Sequence, residues 1–223
     1  MTKTIILLVL LASGSVTAYS QRTFDVKNAS KFFDIKIKVA DCDEMFCRGK
    51  ASYSFFKKGE ATPYQVIEVE DTLIDVEGGK PAINETLLYD KQSAVNVGDF
   101  NFDGMEDVAI CTGDLGPYNS PSYDVYLSSR AKRKFVYNEE LSTALVGLGM
   151  FEVDPVAKRL ITFNKDGCCW HTTEEYSVIR NRPVKVRQVI EDATGPKRVK
   201  VTTKTLVRGK WKSVTRYEEY KDQ

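Results

Sequence analysis

The residues best suited to chemistry lie in one short segment, in which oxygen-bearing side chains recur at alternate positions. Counting Asp99 as position 1, positions 1, 3, 5 and 9 are Asp99, Asn101, Asp103 and Asp107. Met105 at position 7 offers its backbone carbonyl, and Gly104 at position 6 permits a sharp turn. Calcium takes roughly six to eight oxygen ligands, and this spacing lets one loop wrap around the ion. We therefore predict a Ca²⁺ site formed by Asp99, Asn101, Asp103, Met105 and Asp107; an acidic surface turn without an ion is the alternative.

This loop is not an EF-hand, because position 12 is Ile110 where that motif carries a bidentate glutamate. The sequences Val-Asn-Val at 95–97 and Val-Ala-Ile at 108–110 indicate a strand on each side of the loop. Asp107 must then bind the ion directly. The pattern resembles the DxNxDGxxD loops of integrin-type FG-GAP repeats, of which this chain holds one copy.

A second segment, residues 113–122, is rich in glycine, proline, asparagine and serine. These residue types predict an exposed turn of defined shape, and tyrosine rings add rigid amphipathic contact area. Such a turn suits a saccharide-binding cleft, where a protruding hydroxyl or amide can occupy the gap between two catalytic carboxylates. We predict a partner-binding surface made of Gly116, Pro117, Tyr118, Ser122 and Tyr123; the alternative is a purely structural loop.

Catalytic residue types are sparse. His171 is the single histidine, which excludes metal sites built from several histidines. Cys169 and His171 share one face of a strand, but no third partner for a thiol–histidine nucleophile is evident. No glycine-rich phosphate loop precedes a helix. The sequence therefore predicts a protein that is not an enzyme and has no catalytic residues.

Residues 1–20 have the organisation of a secretory signal peptide. Lys3 gives a positive start, residues 5–12 are apolar, and small residues lead to a cleavage site at Ala18 or Ser20. Removing Lys3 from the 32 lysines and arginines leaves 31 against 31 acidic residues, so the net charge is zero. A balanced chain has no electrostatic reason to bind nucleic acid or an anionic membrane. We expect a periplasmic or secreted protein without a stable membrane anchor after signal cleavage.

Export makes all five cysteines disulfide candidates, namely Cys42, Cys47, Cys111, Cys168 and Cys169. Cys42 and Cys47 enclose four residues, so we expect a local bridge between them. Cys111 is expected to pair with Cys168 or Cys169. A vicinal bridge between Cys168 and Cys169 is the alternative.

Strands are expected to position these groups. Strict alternation of apolar and polar residues predicts a strand at 33–39, and similar patterns follow at 52–56 and 64–69. Further strand-like segments lie at 159–163, 172–180, 184–190, 199–207 and 211–220, separated by short turn sequences that indicate an antiparallel meander. Residues 85–89 are another candidate strand, and only 139–146 show a helical pattern. We predict one all-β domain over residues 21–223, an antiparallel sandwich or barrel-like sheet.

The order of these motifs resembles one bacterial family. The calcium loop is followed by Cys-Thr-Gly at 111–113, a Gly-Pro-Tyr turn at 116–118, Pro-Ser-Tyr-Asp-Val-Tyr at 121–126 and Gly-Cys-Cys-Trp-His at 167–171. Members of the family are periplasmic calcium-binding immunity proteins with a fold like the periplasmic lysozyme inhibitors. They protect cells against peptidoglycan-cleaving toxins that rival bacteria deliver, notably through type IV secretion. The resemblance covers about residues 95–180, and Asp166 departs from the serine that members often carry before Gly-Cys-Cys.

The resemblance implies a protein partner, a secreted or periplasmic peptidoglycan-cleaving hydrolase, which the chain binds and inhibits. The alternative function is a calcium-stabilised adhesion or ligand-binding module without inhibitory activity. A third, an extracellular hydrolase, needs a catalytic constellation that the sequence does not contain.

Overall fold

The computed structural model describes residues 20–86 and 92–219, which form an almost entirely β protein with one short α-helix. Within these residues the strands form three antiparallel sheets, and one sheet is nearly closed and barrel-like. The predicted all-β class is therefore confirmed. The predicted signal peptide lies outside the described residues except for Ser20, which begins the first strand opposite Cys42. No helix in the described ranges is long and apolar enough to cross a membrane.

The first sheet contains the amino-terminal strands in the order β1-β2-β3-β5-β6, with β4 also paired to β3. Its strands are β1 (Ser20–Val26), β2 (Phe33–Cys42), β3 (Phe46–Lys57), β4 (Gln65–Val69), β5 (Leu73–Glu77) and β6 (Lys80–Pro81). The alternation that predicted β2 has the expected cause, because Ile35, Ile37 and Val39 all point into the core. The predicted strands at 52–56 and 64–69 fall within β3 and on β4.

The second sheet has the order β10-β9-β8-β7. Its strands are β7 (Val95–Gly98), β8 (Asp107–Cys111), β9 (Tyr123–Ser129) and β10 (Lys134–Tyr137). Helix α1 (Glu139–Ala144) follows, and the Asn138 side chain caps it by accepting the Leu141 N–H at 2.8 Å. The helix ends two residues before the predicted boundary. The two strands predicted around the calcium loop are β7 and β8.

The third sheet is the predicted carboxy-terminal meander, with its strands in sequence order. They are β11 (Glu152–Asp154), β12 (Arg159–Asp166), β13 (Trp170–Ile179), β14 (Arg182–Asp192), β15 (Arg198–Val207) and β16 (Lys210–Glu219). Each pairs antiparallel with the next through a short turn. β16 is an edge strand, and all ten of its residues are exposed.

The second sheet is a middle layer, because the side chains of β8 alternate between two hydrophobic cores. Val108 and Ile110 belong to the core shared with the first sheet. Ala109 and Cys111 belong to the core shared with α1 and the third sheet. All five residues of β8 are buried. This strand therefore gives rigid support to the loops at its two ends.

Some elements do not follow from the sequence pattern. The sequence analysis does not identify β1, β5, β6, β9, β10 or β11, and the shortest of these, β6, β10 and β11, span only two, four and three residues. Such short segments give no measurable period. The candidate strand at 85–89 lies partly outside the described residues, and Thr86 forms only an isolated bridge with Gln92.

Candidate functional site

The predicted calcium ligands lie on the loop that joins β7 to β8. Both carboxylate oxygens of Asp99 accept main-chain N–H groups, from Asp103 at 3.0 Å and from Gly104 at 2.8 Å. Asp103 Oδ1 accepts the Met105 N–H at 2.9 Å, and Asn101 Oδ1 accepts the Asp103 N–H at 3.1 Å. Gly104 has a φ of +86°, which glycine tolerates without a steric penalty. The main chain thus wraps around the side-chain oxygens.

Asp107, the last predicted ligand, is fully buried at the start of β8. Its Oδ2 accepts the Phe100 N–H at 2.9 Å, and its Oδ1 accepts the Ser128 N–H at 2.8 Å. Burial raises the pKa of Asp107 to about 7; the two N–H groups act in the opposite direction, while the negative charges of Asp103 and Asp99 raise it further. A bound cation would offset the cost of burying this carboxylate beside two others.

The donor set fits a hard cation. A carboxylate oxygen has two lone-pair sites, so an oxygen that accepts one N–H can still bind a metal ion. In the described part of the chain, no lysine or arginine forms an ion pair with Asp99, Asp103 or Asp107. The described side chains nevertheless include no group of three or more His, Cys, Asp or Glu residues arranged to hold a metal ion. Calcium binding therefore stays a prediction.

Contacts on either side tie this loop to the other sheets. Asn101 Nδ2 donates to Asn181 Oδ1 at 3.1 Å, in the turn between β13 and β14. Glu106 accepts hydrogen bonds from the Ser30 hydroxyl and from the Lys31 N–H, both in the connection between β1 and β2. The loop therefore lies where all three sheets meet.

The 113–122 turn joins β8 to β9 and is closed by its own main chain. The Gly116 N–H donates to the Ser120 carbonyl at 2.9 Å, and the Ser122 N–H donates to the Gly113 carbonyl at 2.9 Å. Ser120 Oγ also donates to the Gly147 carbonyl at 2.9 Å. A Cβ atom on Gly116 would lie 2.7 Å from the Ser120 carbonyl oxygen, so only glycine fits there. The turn is consequently rigid.

Tyr118 is the central residue of this turn, in a single 3₁₀ turn over Pro117–Asn119. Its φ of +57° lies in the left-handed region, which is uncommon for a bulky residue. The side chain is 59% exposed, yet its hydroxyl accepts the Gly167 N–H at 2.7 Å and the Lys165 ammonium lies 4.9 Å from its ring centroid. Tyr118 shares its positive φ with other turn residues of the described chain, and it differs from them in being an exposed aromatic residue that a separate hairpin holds in place.

The anchor of Tyr118 lies in the hairpin between β12 and β13, which carries the Gly-Cys-Cys-Trp-His motif. The structure thus brings together two segments that are about fifty residues apart in sequence. Leu115, in the same turn as Tyr118, is 81% exposed. The sequence analysis does not select it, although an apolar residue inside a glycine- and proline-rich turn is a usable signal. Nothing in the sequence indicates the roles of Lys165 and Gly167, because those contacts are made between separate elements.

Two of the five predicted contact residues support the turn rather than form its surface. Tyr123 begins β9, is only 8% exposed and donates its hydroxyl to the Ser93 carbonyl at 2.8 Å. Ser122 is half-buried and its hydroxyl donates to the Gly113 carbonyl at 3.3 Å. The reason is strand alternation, which turns Tyr123 inward together with Val125. In this structure Tyr123 therefore supports the turn from inside, and its contact with a partner stays a prediction.

The disulfides differ in part from expectation. The bridge between Cys42 and Cys47 is confirmed and joins β2 to β3. The expected pairing of Cys111 with Cys168 or Cys169 is wrong, because Cys168 is bonded to Cys169 and Cys111 is a free, buried thiol. Cys111 ends β8 inside the middle layer, whereas Cys168 is exposed at a hairpin tip.

The calcium loop and the 113–122 turn lie at opposite ends of β8. The loop precedes Asp107 and the turn follows Cys111, the first and last residues of the strand. Four steps of about 3.3 Å separate the strand ends by about 13 Å. An ion bound in the loop could influence Tyr118 only indirectly, through β8 or through β13, since the turns at the two ends of β13 contact the loop and the 113–122 turn.

The thiol–histidine pair considered from the sequence is not present as a free thiol beside an imidazole. Cys169 is held in the disulfide with Cys168. His171 lies on β13, opposite Lys165 on β12 and Glu191 on β14. These are neighbours in a regular sheet, so a structural role accounts for the position of His171.

Comparison with known proteins gives one informative similarity. No protein-family model matches the chain, and no curated protein sequence matches it. Among solved structures, the chain is similar to one described as the structure of a Xanthomonas type IV secretion system related protein. The two chains are 27% identical, with a TM-score of 0.66 over 90% of this chain and 96% of the other. The similarity extends across nearly the whole fold of both chains, and that protein is described as related to a type IV secretion system.

Proposed function

We propose that this chain is an exported calcium-binding protein that binds and inhibits a peptidoglycan-cleaving hydrolase through its 113–122 turn. The observation that carries the proposal is Tyr118, an exposed ring in a left-handed backbone position that a separate hairpin holds in place. A contact residue fixed before binding loses little conformational freedom when the partner docks. Tyrosine is also among the residue types that dominate binding energy at protein interfaces.

The turn is better shaped to project into a cleft of a partner protein than to enclose a small ligand. The cavity behind it, lined by Pro121, Leu145 and Met150 among others, measures only about 20 Å³. Small-molecule sites typically occupy roughly 300–1,000 Å³. Leu115 and Tyr118 instead offer exposed apolar and amphipathic surface.

The chemistry of the proposed target is complementary to this turn. Glycoside hydrolases that cleave peptidoglycan strands use an open cleft in which two carboxyl groups flank the scissile bond. The Tyr118 hydroxyl accepts the Gly167 N–H and still has its own proton to donate to such a carboxylate. The exposed amide of Asn119 is a second donor beside it. The similarity to a type IV secretion system related protein supports a setting in bacterial secretion.

Calcium has a supporting role in this proposal. Asp99, Asn101, Asp103, Asp107 and the Met105 carbonyl would hold the ion, which would neutralise the clustered carboxylates where the three sheets meet. Because the ion would lie at the far end of β8, it stabilises the scaffold and does not contact the hydrolase.

The test is inhibition of purified secreted peptidoglycan hydrolases, measured as the rate at which soluble fragments are released from cell-wall sacculi. We expect the wild-type protein to inhibit at least one of them at a defined stoichiometry. Tyr118→Ala and Leu115→Ala should weaken inhibition, each without changing the fold by circular dichroism. Tyr217→Ala is the matched control, because Tyr217 is equally exposed (62%) but lies on β16.

The proposal fails if both turn variants inhibit as strongly as the wild type. Binding to cell-wall glycan in the absence of any effect on hydrolases would instead identify the alternative, an adhesion or ligand-binding module. Loss of inhibition in Tyr217→Ala and not in Tyr118→Ala would place the interface on the third sheet.

A further inference from the structure

The hairpin of β15 and β16 carries a positive charge that the balanced net charge of the chain conceals. Residues 197–219 contain eight lysines and arginines and two glutamates, a net charge of +6. Subtracting +6 from the formal charge of +1 leaves −5 for the rest of the chain. Within the described residues, the ion pair of this hairpin is that of Arg216 with Glu218, and Lys200 also faces Asp192 on β14. Most of the positive charge is therefore uncompensated.

The tip of this hairpin extends away from the sheet. Pairing between β14 and β15 ends at Arg187 and Thr205, although β14 itself continues back to Arg182. The pairing between β15 and β16 continues to Val207 and Lys210. The last residues of β15 and the turn that follows thus have a strand on one side only, and β16 has a free outer edge.

Apolar and basic side chains alternate around the tip. Val207 is 37% exposed and Trp211 is 48% exposed, and Arg208, Lys210 and Lys212 lie between and beside them. A single exposed tryptophan is ordinary on a protein surface, and the basic residues on both sides of Trp211 are what distinguish this tip. The same arrangement is favourable at a membrane surface, where indole rings lie at the level of the lipid headgroups and lysines meet their phosphates.

We propose that the β15–β16 hairpin tip is a peripheral binding site for anionic phospholipid membranes. The tip enters the headgroup region end-on, because Val207 shares one face of the hairpin with Lys210 and Lys212 and the Trp211 ring lies on the other face. Arg208, Lys210 and Lys212 contact the phosphate-bearing surface. The contact is reversible, because a few exposed side chains cannot hold a protein as a transmembrane helix does. The proposal does not depend on the inhibition of a hydrolase.

The position of the charged residues favours a lipid surface over an acidic protein strand. A strand that paired with β16 would use its backbone groups along all ten residues. The basic residues Arg208, Lys210 and Lys212 are instead concentrated at the tip, beyond the last pairing with β14, whereas Glu218 and Glu219 lie at the other end of β16. Exposed apolar residues continue along β16 to Val214 and Tyr217. Lysines on an edge strand also hinder the addition of another strand.

The test is sedimentation of the purified exported protein with vesicles of phosphatidylcholine alone or mixed with phosphatidylglycerol. We expect binding only to the anionic vesicles, and release as the salt concentration rises, because salt screens surface charge. Trp170 and Trp211 are the two tryptophans of the chain. In a Trp170→Phe variant, the remaining Trp211 fluorescence should therefore shift to shorter wavelength when anionic vesicles are added.

Two charge-reversal variants provide the matched comparison. Lys210→Glu with Lys212→Glu should weaken vesicle binding by about tenfold or more, since each basic residue near an anionic surface contributes to binding. Lys132→Glu with Lys134→Glu changes the total charge equally, at another exposed hairpin that lacks an apolar tip. This control should bind vesicles nearly as the wild type does.

If both pairs of variants lost vesicle binding equally, binding would depend only on the total charge of the protein, and the proposal would be overturned. So would an unchanged Trp211 spectrum in the presence of bound vesicles. Binding to an acidic polypeptide such as polyglutamate, with no binding to vesicles, would identify a protein partner and likewise overturn it.

Discussion

Substitutions at Tyr118 can separate the proposed contact of its ring with the hydrolase from the hydrogen bond between its hydroxyl and Gly167. Tyr118→Ala removes the ring and should cost about 2 kcal/mol of hydrolase binding, a value typical of an aromatic anchor. The free energy of unfolding should fall by less than about 1 kcal/mol, because the lost hydrogen bond with Gly167 is exposed to water. Tyr118→Phe keeps the ring and should retain most of the affinity. Isothermal titration calorimetry and denaturant unfolding measure the two quantities.

At Tyr123 we expect a substitution to lower stability and to leave inhibition unchanged, the reverse of the result expected at Tyr118. Tyr123→Phe removes the hydroxyl that donates to the buried Ser93 carbonyl, so the free energy of unfolding should fall by about 1–3 kcal/mol. Inhibition by the folded variant should equal that of the wild type, since Tyr123 is not on the surface. A variant that is stable but fails to inhibit would show instead that Tyr123 reaches the partner.

We expect the stabilisation of the fold by calcium to depend on pH, because of the raised pKa of Asp107. Its pKa in the folded protein is about 7, above the ordinary value of 3.8, so the folded state binds this proton more tightly than the unfolded state does. In metal-free protein the resulting stability is present at low pH and is lost as pH rises through about 7. Calcium competes with the proton for the carboxylate. The increase in melting temperature on adding calcium should therefore be larger at about pH 7.5 than at about pH 5.5; an increase that is equal at both would contradict the assignment of Asp107 as a ligand.

At the scale of elements, β8 separates the calcium loop from the contact turn. Calcium at a hundredfold excess over its dissociation constant should raise the free energy of unfolding by about 2.7 kcal/mol, and a chelator should remove this gain. Inhibition by protein that remains folded should change little, because about 13 Å of buried strand lies between loop and turn. Thermal melts and inhibition assays, each with calcium or chelator, measure the two effects. Asp103→Ala should reproduce the chelator result without further response to calcium.

The cysteines of the β12–β13 hairpin form a disulfide, whereas the cysteine of β8 is a free thiol. Cys168 and Cys169 are joined at the hairpin tip, and Cys111 is a buried thiol whose pKa burial raises to about 11. Cys111 should therefore resist alkylation in the native protein and react only after denaturation. Peptide mapping without reductant measures this, with Cys42 and Cys47 as the bridged control pair. Rapid native alkylation at Cys111, or a Cys111–Cys169 peptide, would contradict the structure.

At the scale of the whole molecule, the second sheet makes the two cores depend on each other. Ile110 is fully buried in the core shared with the first sheet, and the next residue, Cys111, lies in the other core. Ile110→Ala should lower the free energy of unfolding by about 2–5 kcal/mol. Both cores should still unfold together, so tryptophan fluorescence and far-ultraviolet circular dichroism should give one coincident transition. Separate transitions would show that the layers fold independently.

The net charge of the whole molecule hides an uneven distribution. The sequence analysis treats a balanced charge as a reason against membrane binding, whereas eight basic residues lie within residues 197–219, which the fold places in and beside one edge hairpin. Electrostatic attraction depends on the local field and is screened within about 10 Å at ordinary salt concentrations. A neutral total therefore does not prevent one end of the protein from binding an anionic surface.

The sequence by itself determines the properties that depend on near neighbours. Alternation at 33–39 and short turns after 159 predict β2 and the meander, because the period of two and the turn residues are local features. The same holds for the Cys42–Cys47 bridge and for the conformation of the loop at 99–107, whose predicted ligands are spaced within nine residues.

Only the tertiary structure decides which distant segments meet. The inward orientation of Tyr123, the bond from Gly167 to Tyr118 and the isolation of Cys111 from Cys168 all depend on how three sheets pack. A cysteine or a tyrosine has the same preference for a β-strand whichever sheet covers that strand. The sequence pattern therefore cannot say which face is buried or which cysteines meet, and the packing of the sheets decides this. β8, which is buried on both faces in the middle of the second sheet, decides the position of Cys111.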